Sequence, residues 1–272
     1  MKIYTYRIGF VGFGHMAKII CRQMERCKLV PRSQILFLRR DPHKIHEDEK
    51  AFGVTSTSLE TLVAKSDIIL LCVRPAQAEE ILKAMAKLEI KDKLLISILA
   101  GVKLAYFEKF LGNVPVIRAM PNVASEVGEG MTILTPSPHA NSEFRSLANL
   151  LFNSMGNTVE LPEESMDIAT GMAGSGIAYV FSLIEAIARI GEQEGIPYEK
   201  SLKMAAQTFL GASRILLKGE VAVEELLGQI ALPNGTTEAG LKVMRELEVA
   251  TRLQSVIKAA AKRSKEISEE IR

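Results

Sequence analysis

Arg7-Ile8-Gly9-Phe10-Val11-Gly12-Phe13-Gly14-His15-Met16-Ala17 is the stretch on which the fold turns. The apolar run Ile8 to Val11 reads as a strand, and Met16 to Arg26 carries apolar residues at helical spacing. Between them stands Gly12-x-Gly14-x-x-Ala17, so strand, glycine turn and helix follow in the order of a dinucleotide-binding fingerprint. Gly12 permits the tight turn, and Gly14 lets the backbone approach a pyrophosphate at the positive end of the helix. Ala17 is small enough for close helix–strand packing. Phe13, His15 and Met16 complete the segment assigned to the cofactor.

Further apolar runs follow at Ile35 to Leu38, Asp67 to Val73, Leu94 to Leu99, Val116 to Arg118, Met131 to Leu134 and Thr158 to Leu161. Helical spacing separates several of them, as in Ala76 to Leu88 and Ser142 to Ser154. That alternation predicts an α/β fold, a doubly wound parallel sheet with crossover helices, and places a ligand cleft at the carboxyl ends of the strands. The pattern changes after Leu161, and from Met166 onward only helical spacing remains. The expected domains are a Rossmann-like unit over 1–161 and an all-helical unit over 162–272. Ile177 to Ile190 is apolar nearly all round, with Ser182, Glu185 and Arg189 as its polar stripe, which predicts cover by a second copy of the chain.

The chain has 272 residues, 47% of them hydrophobic and 24% charged, enough to bury large cores without disulfides or metals. A net charge of +2 argues against a nucleic-acid-binding role or a polybasic membrane-surface role. The residues through Leu161 carry +5 and the remainder −3, so positive charge gathers where phosphates are expected. Cys21, Cys27 and Cys72 are too few and too scattered for a disulfide framework or a zinc site. Charges are expected to interrupt every apolar stretch well before about 18 residues, and residues 1–7 lack the apolar core of a secretory signal. The expectation is a cytoplasmic protein with no membrane span. No His/Cys/Asp cluster has metal-ligand spacing, so no metal is expected.

The ends of the candidate strands supply the rest of a site. Leu38 is followed by Arg39 and Arg40, guanidinium forks suited to the 2′-phosphate of NADP. Asp41 could reach a ribose hydroxyl instead, which leaves NAD open, and a solvated basic turn is the plainer reading. Val73-Arg74-Pro75 ends a buried strand at the cleft edge. Ala100-Gly101 offers small side chains that would leave room for a nicotinamide ring, and Asn122 stands in a Pro-Asn turn after the fifth run. Later, Leu232-Pro233-Asn234-Gly235-Thr236-Thr237 places consecutive backbone N–H groups at a helix start, an anion site suited to one carboxylate.

With these motifs in order, the chain resembles the pyrroline-5-carboxylate reductases, from Arg7 to about Glu266. The most specific pieces are Gly12 to Ala17, Val73-Arg74-Pro75 and Arg118-Ala119-Met120-Pro121-Asn122 with Gly128-Glu129-Gly130-Met131. Gly174-Ser175-Gly176-Ile177-Ala178-Tyr179, Ala205-Ala206-Gln207-Thr208 and Pro233-Asn234-Gly235-Thr236-Thr237 follow in the second half. The resemblance implies reduction of a cyclic imine to L-proline with NAD(P)H, and Arg39 and Arg40 favour NADPH. It further implies an intertwined homodimer, with larger rings in some members, and a substrate loop supplied by the partner subunit. Asn234, Gly235, Thr236 and Thr237 match that loop, and Thr237 is the candidate catalytic hydroxyl. This chain departs from the family pattern where Ala173 replaces Ser, Ile177 Pro, Ala231 Thr, Leu232 Ser and Asn234 Gly. His15 replaces Asn, and Val123-Ala124 replaces Thr-Pro. The departures keep two alternatives open: a reductase of another cyclic imine, and a non-catalytic NADP-binding oligomeric relative. A 3-hydroxy acid dehydrogenase would carry a Lys after the Rossmann unit, and Met166 to Ala188 contains none.

Overall fold

In the computed structural model, which describes residues 3–271, the apolar runs of the first part line up in one eight-stranded sheet. Residues 1, 2 and 272, the outermost positions of the two expected domains, lie outside the described residues. The strands are β1 (Ile8–Val11), β2 (Ile35–Leu38), β3 (Thr55–Ser56), β4 (Ile68–Leu71), β5 (Leu94–Ser97), β6 (Val116–Met120), β7 (Gly130–Pro136) and β8 (Gly156–Glu160). Their order across the sheet is β3-β2-β1-β4-β5-β6-β7-β8. The order reverses beside β1, where Ile8 pairs with both Ile35 and Ile68. That reversal is the topological switch point, so a crevice opens at the carboxyl end of β1. Strands β1, β4 and β5 have no exposed position, which explains why they read as unbroken apolar runs: helices cover both faces.

The helices of this part are α1 (His15–Arg26), α2 (Pro42–Phe52), α3 (Leu59–Lys65), α4 (Ala78–Met85), α5 (Leu104–Leu111) and α6 (Ser142–Asn153). Asp41 caps α2 by accepting from the His43 N–H, and Pro42 follows at the first helical position. Core packing on one side of the sheet centres on aromatic rings. Phe13 lies 4.6 Å from Phe37, 5.2 Å from Phe52 and 5.6 Å from Phe10, centroid to centroid.

One expectation needs correction. The sheet is mixed, because β7 runs antiparallel to β6, with Arg118 opposite Thr135. Nine residues join the two strands, including a 3₁₀ turn at Val123–Val127, and a parallel crossover needs about a dozen or more.

The second part is helical: α7 (Met166–Ala169), a π turn at Thr170–Gly174, then α8 (Gly176–Gln193), α9 (Tyr198–Lys218), α10 (Val223–Ile230), α11 (Thr236–Glu246) and α12 (Val249–Glu270). Gly176–Lys258 forms one compact unit. The other unit runs through Ser175 and takes in the chain again from Ala259. The end of α12 is anchored there by Ser264, whose hydroxyl is 2.7 Å from Asp167 Oδ1. Within Gly176–Lys258, α8 packs on α9, and Gly191 allows the close approach, since a Cβ there would stand 2.4 Å from Ser201 Oγ. Phe181, Leu183, Ile187 and Ile190 on α8 are all exposed.

The expected interruption of every apolar stretch also fails at one place. Residues 168–184 carry no Asp, Glu, Lys or Arg, and Glu163–Gln193 is by length and composition long and apolar enough to cross a membrane.

Candidate functional site

The crevice at the switch point is a cleft of about 320 Å³. Its floor is Val11, Gly12, Phe13 and Gly14, leaving β1. One wall is Leu38, Arg39, Arg40 and Asp41 after β2, and the other is Cys72, Val73 and Arg74 after β4, with Gln77 and Ile81 beyond. Three strand ends thus converge because the sheet order brings β2, β1 and β4 side by side.

Gly12 has φ +91°, and a Cβ on it would lie 2.8 Å from the Cys72 carbonyl oxygen. Both the backbone conformation and the neighbouring strand therefore demand glycine. Its N–H donates to the Leu38 carbonyl at 3.0 Å, which ties the turn to β2. Above Gly14 nothing lies within 4 Å of where a Cβ would stand, so open space adjoins the N-terminus of α1, whose N-cap is Gly14. Ala17 is buried against the sheet, His15 is exposed and Met16 is half-buried. This cradle, beside two arginines, fits the pyrophosphate and phosphate groups of a dinucleotide.

The two arginines differ in surroundings. Arg39 Nη1 donates to the Phe13 carbonyl at 2.7 Å and to Asp48 Oδ2 at 2.6 Å. Arg40 is exposed and pairs with Glu80 of α4 at 2.5 Å. Burial pushes the Cys72 thiol well above the ordinary cysteine range, so the group is a neutral wall.

The remaining candidates lie outside the cleft lining. Pro75 opens the 3₁₀ turn after Arg74. The Asn122 amide is engaged at both ends: Nδ2 donates to the Ala173 carbonyl at 3.0 Å, and Oδ1 accepts from Met131 N–H at 3.3 Å. Gly101 has φ +76°, and the space beside it is filled by Ile267 of α12, 2.6 Å from the site of a Cβ. Its small size therefore serves packing of the returning helix. Neighbouring Ala100 is half-buried.

Asn234, Gly235, Thr236 and Thr237 belong to the other unit, where Gly235 is the N-cap of α11. Asn234 has φ +59°, and a Cβ on Gly235 would lie 2.9 Å from the Leu232 carbonyl oxygen. The Asn234 N–H donates to Glu238 Oε2 at 2.7 Å, so this donor already holds a carboxylate. Leu232, Thr236 and Thr237 are exposed.

Sequence reasoning missed Asp48, Gln77, Ile81 and Glu80. Asp48 sits in the charged run His46-Glu47-Asp48-Glu49-Lys50 and reads as solvated. Its signal was the helix face it shares with Ile45 and Phe52, three and four residues away.

The chain is 34% identical over 268 residues to pyrroline-5-carboxylate reductase 1 of Bacillus spizizenii, covering 97% of this chain and 90% of that one. It belongs to the pyrroline-5-carboxylate reductase family. The Pisum sativum reductase is 31% identical, with 97% of each chain covered. Residues 163–267 match the family model described as pyrroline-5-carboxylate reductase dimerisation, and residues 7–101 match one described as NADP oxidoreductase, coenzyme F420-dependent. The solved Coxiella burnetii pyrroline-5-carboxylate reductase superposes with a TM-score of 0.90 at 29% identity, covering 97% of this chain and 99% of that one. The Plasmodium falciparum pyrroline carboxylate reductase, solved with NADP bound, gives 0.88 at 28%, covering 98% and 99%. As a reductase-family member the chain is an oxidoreductase, with a Rossmann-like first part and a helical oligomerisation region. The exposed apolar residues of α8 fall inside the segment matched to the dimerisation model.

Proposed function

We propose that this chain reduces 1-pyrroline-5-carboxylate to L-proline with NAD(P)H, the last step of proline biosynthesis. The observation that carries the reading is the cleft at the switch point, with Gly12 forced to be glycine and Gly14 open above α1, in a chain that aligns with pyrroline-5-carboxylate reductases over 97% of its length. When bound, NADPH supplies a hydride to the imine carbon, leaving NADP⁺, and the ring nitrogen takes a proton.

Gly12, Phe13, Gly14, His15, Met16 and Ala17 are assigned to the pyrophosphate segment. Arg39 and Arg40 are assigned to the end that distinguishes NADP from NAD. Val73, Arg74 and Pro75 with Ala100, Gly101 and Asn122 are assigned to the nicotinamide end. The protein's own task there is alignment, because a protonated iminium is already electrophilic. Asn234, Gly235, Thr236 and Thr237 are assigned to the substrate. Backbone donors would receive its carboxylate, and Thr237 Oγ1 is the group assigned to hydrogen-bond the ring nitrogen. For the carboxylate to use the Asn234 N–H, Glu238 must give it up.

The division of labour, 1–161 for cofactor and 162–272 for dimerisation and substrate, is supported by the separate matches over 7–101 and 163–267. A homodimer is inferred from the exposed apolar residues of α8, and a ring of such dimers rests on the family resemblance. The near-neutral charge supports a small-molecule partner over nucleic acid. Cytoplasmic placement is supported by Cys21, Cys27 and Cys72 all being free thiols, as a reducing compartment keeps them.

The test is NADPH oxidation with pyrroline-5-carboxylate: folded protein that binds NADPH yet turns nothing over overturns the reading. A second reading, reduction of a different cyclic imine, is favoured by Ala231 and Leu232 in place of Thr and Ser, with Leu232 exposed beside the substrate loop. A panel of cyclic imines decides, since a better substrate than pyrroline-5-carboxylate would replace the first reading.

A further inference from the structure

Two cations share one buried carboxylate beneath the cleft. Asp48 is buried, its side chain 4% exposed; Oδ2 accepts from Arg39 Nη1 at 2.6 Å and Oδ1 lies 2.5 Å from Lys18 Nζ. Lys18 stands on the first turn of α1, Asp48 on α2 and Arg39 at the end of β2. The same Nη1 donates to the carbonyl of Phe13, the residue between the two glycines of the turn.

We propose that Arg39 is a positioning residue for the glycine turn, held in place by Asp48, and that Arg40 is the arginine that presents its guanidinium fork to the 2′-phosphate. The inference rests on the cleft being the NADP site proposed above. Its physical basis is the donor count of the guanidinium. Nη1 has two hydrogens, and both are taken, by Phe13 and Asp48. A bidentate grip through Nη1 and Nη2 is therefore closed. The other bidentate edge pairs Nη2 with Nε, and Nε is buried with no hydrogen-bond partner, so Arg39 can offer an incoming phosphate a single contact through Nη2 and no fork. Arg40, by contrast, is exposed, and its partner Glu80 is an exposed carboxylate that an incoming phosphate can displace.

The consequence for the turn follows from peptide geometry. In a trans peptide the C=O and N–H point in opposite directions, so fixing the Phe13 carbonyl fixes the direction of the Gly14 N–H. The described chain has no cis peptide bond. Glycine turns are the least restrained backbone, and Gly12 lacks any side chain that could hold the loop. Arg39 supplies that restraint from outside, and Asp48, itself paired with Lys18, holds Arg39 in place.

The experiment is equilibrium titration of NADPH and NADH binding, without substrate, to the full-length protein and to Asp48→Asn, Arg39→Met, Arg39→Lys and Arg40→Met. Asp48→Asn gives opposite signs for the two roles. If Arg39 positions the turn, Asp48→Asn weakens both cofactors by a similar factor, about tenfold, and leaves their ratio unchanged. If Arg39 grips the phosphate, freeing it from Asp48 strengthens NADPH relative to NADH, which overturns the proposal. Arg39→Met is expected to weaken both cofactors equally, and selective loss of NADPH overturns the proposal as well. Arg39→Lys keeps a cation beside Asp48 and reads the same question should Arg39→Met not fold; equal weakening is again expected. Arg40→Met is expected to cost NADPH alone. A lowered Tm with unchanged affinities in the Asp48 and Arg39 variants would reduce the pair to a packing role and also overturns the proposal. Unaltered protein that binds neither cofactor refutes the cofactor site itself, a distinct outcome.

Discussion

At the scale of single residues, the site depends on atoms that must be absent as much as on those present. Gly12→Ala would place a Cβ 2.8 Å from the Cys72 carbonyl oxygen at φ +91°, against backbone that follows β4 directly and is tied to Val11 by the Cys72 N–H. We expect a stability loss of about 1–3 kcal/mol, read by urea denaturation, together with loss of NADPH binding by titration. The cysteines give a second check. Burial holds the Cys21 thiol up at about 12 and raises Cys72 as well, whereas Cys27 is exposed. Alkylation requires the thiolate, so iodoacetamide at pH 8 is expected to modify Cys27 in the native protein and all three after unfolding. The shift also sets a pH dependence. Because the folded-state pKa of Cys21 lies above its unfolded value near 9, its contribution to stability is complete below pH 9 and is lost as pH rises toward 12. A denaturation series from pH 8 to pH 11 should show declining stability, with a shallower decline in Cys21→Ala. Among these residues Gly12 was legible in the sequence, since a strand followed by G-x-G has few other uses. Asp48 was not, because its partners Arg39 and Lys18 are brought to it by the sheet order and not by local spacing.

At the scale of elements, periodicity located the central strands and misjudged the margins. β1 and β2 match the apolar runs residue for residue, while β4 and β5 end two residues earlier than their runs, where the chain turns out into loops. β3 is only Thr55–Ser56 at the sheet edge, with Thr55 exposed and Ser56 half-buried, too short to carry an alternation. The direction of β7 was hidden for another reason: strand sense follows from connection length, and a turn of nine residues returns the chain antiparallel. The central position of β4, paired to β1 and β5, gives an element-scale prediction. Leu70 is completely buried, so Leu70→Ala should cost about 2–5 kcal/mol by chemical denaturation. Helix α4 borders the cleft as well as the core, through Ile81. Glu80 in its first turn holds Arg40, so Glu80→Gln should tighten NADPH about twofold and leave NADH unchanged.

At the scale of the whole molecule, the apolar residues exposed on α8 fall where the family model describes dimerisation. Phe181 and Ile187, 60% and 48% exposed, lie within the segment matched to the dimerisation model. Replacing both by Glu should shift the protein to monomer in light scattering coupled to size exclusion, and turnover should fall with the dimer if the substrate loop acts across subunits. The Rossmann-like sheet, the glycine turn and the change to a helical second part are all legible in the order of residues along the chain. Those features are written in local order, in runs of apolar residues and in the one or two glycines that a turn demands. Only the tertiary structure decided that Arg39 faces a buried Asp48, that Asn122 spends its amide on Ala173 and Met131, and that Gly101 makes room for Ile267. Each of those pairings joins residues distant in the chain, and the strength of a polar or packing contact depends on burial and distance, which exist only once the sheet and helices have assembled.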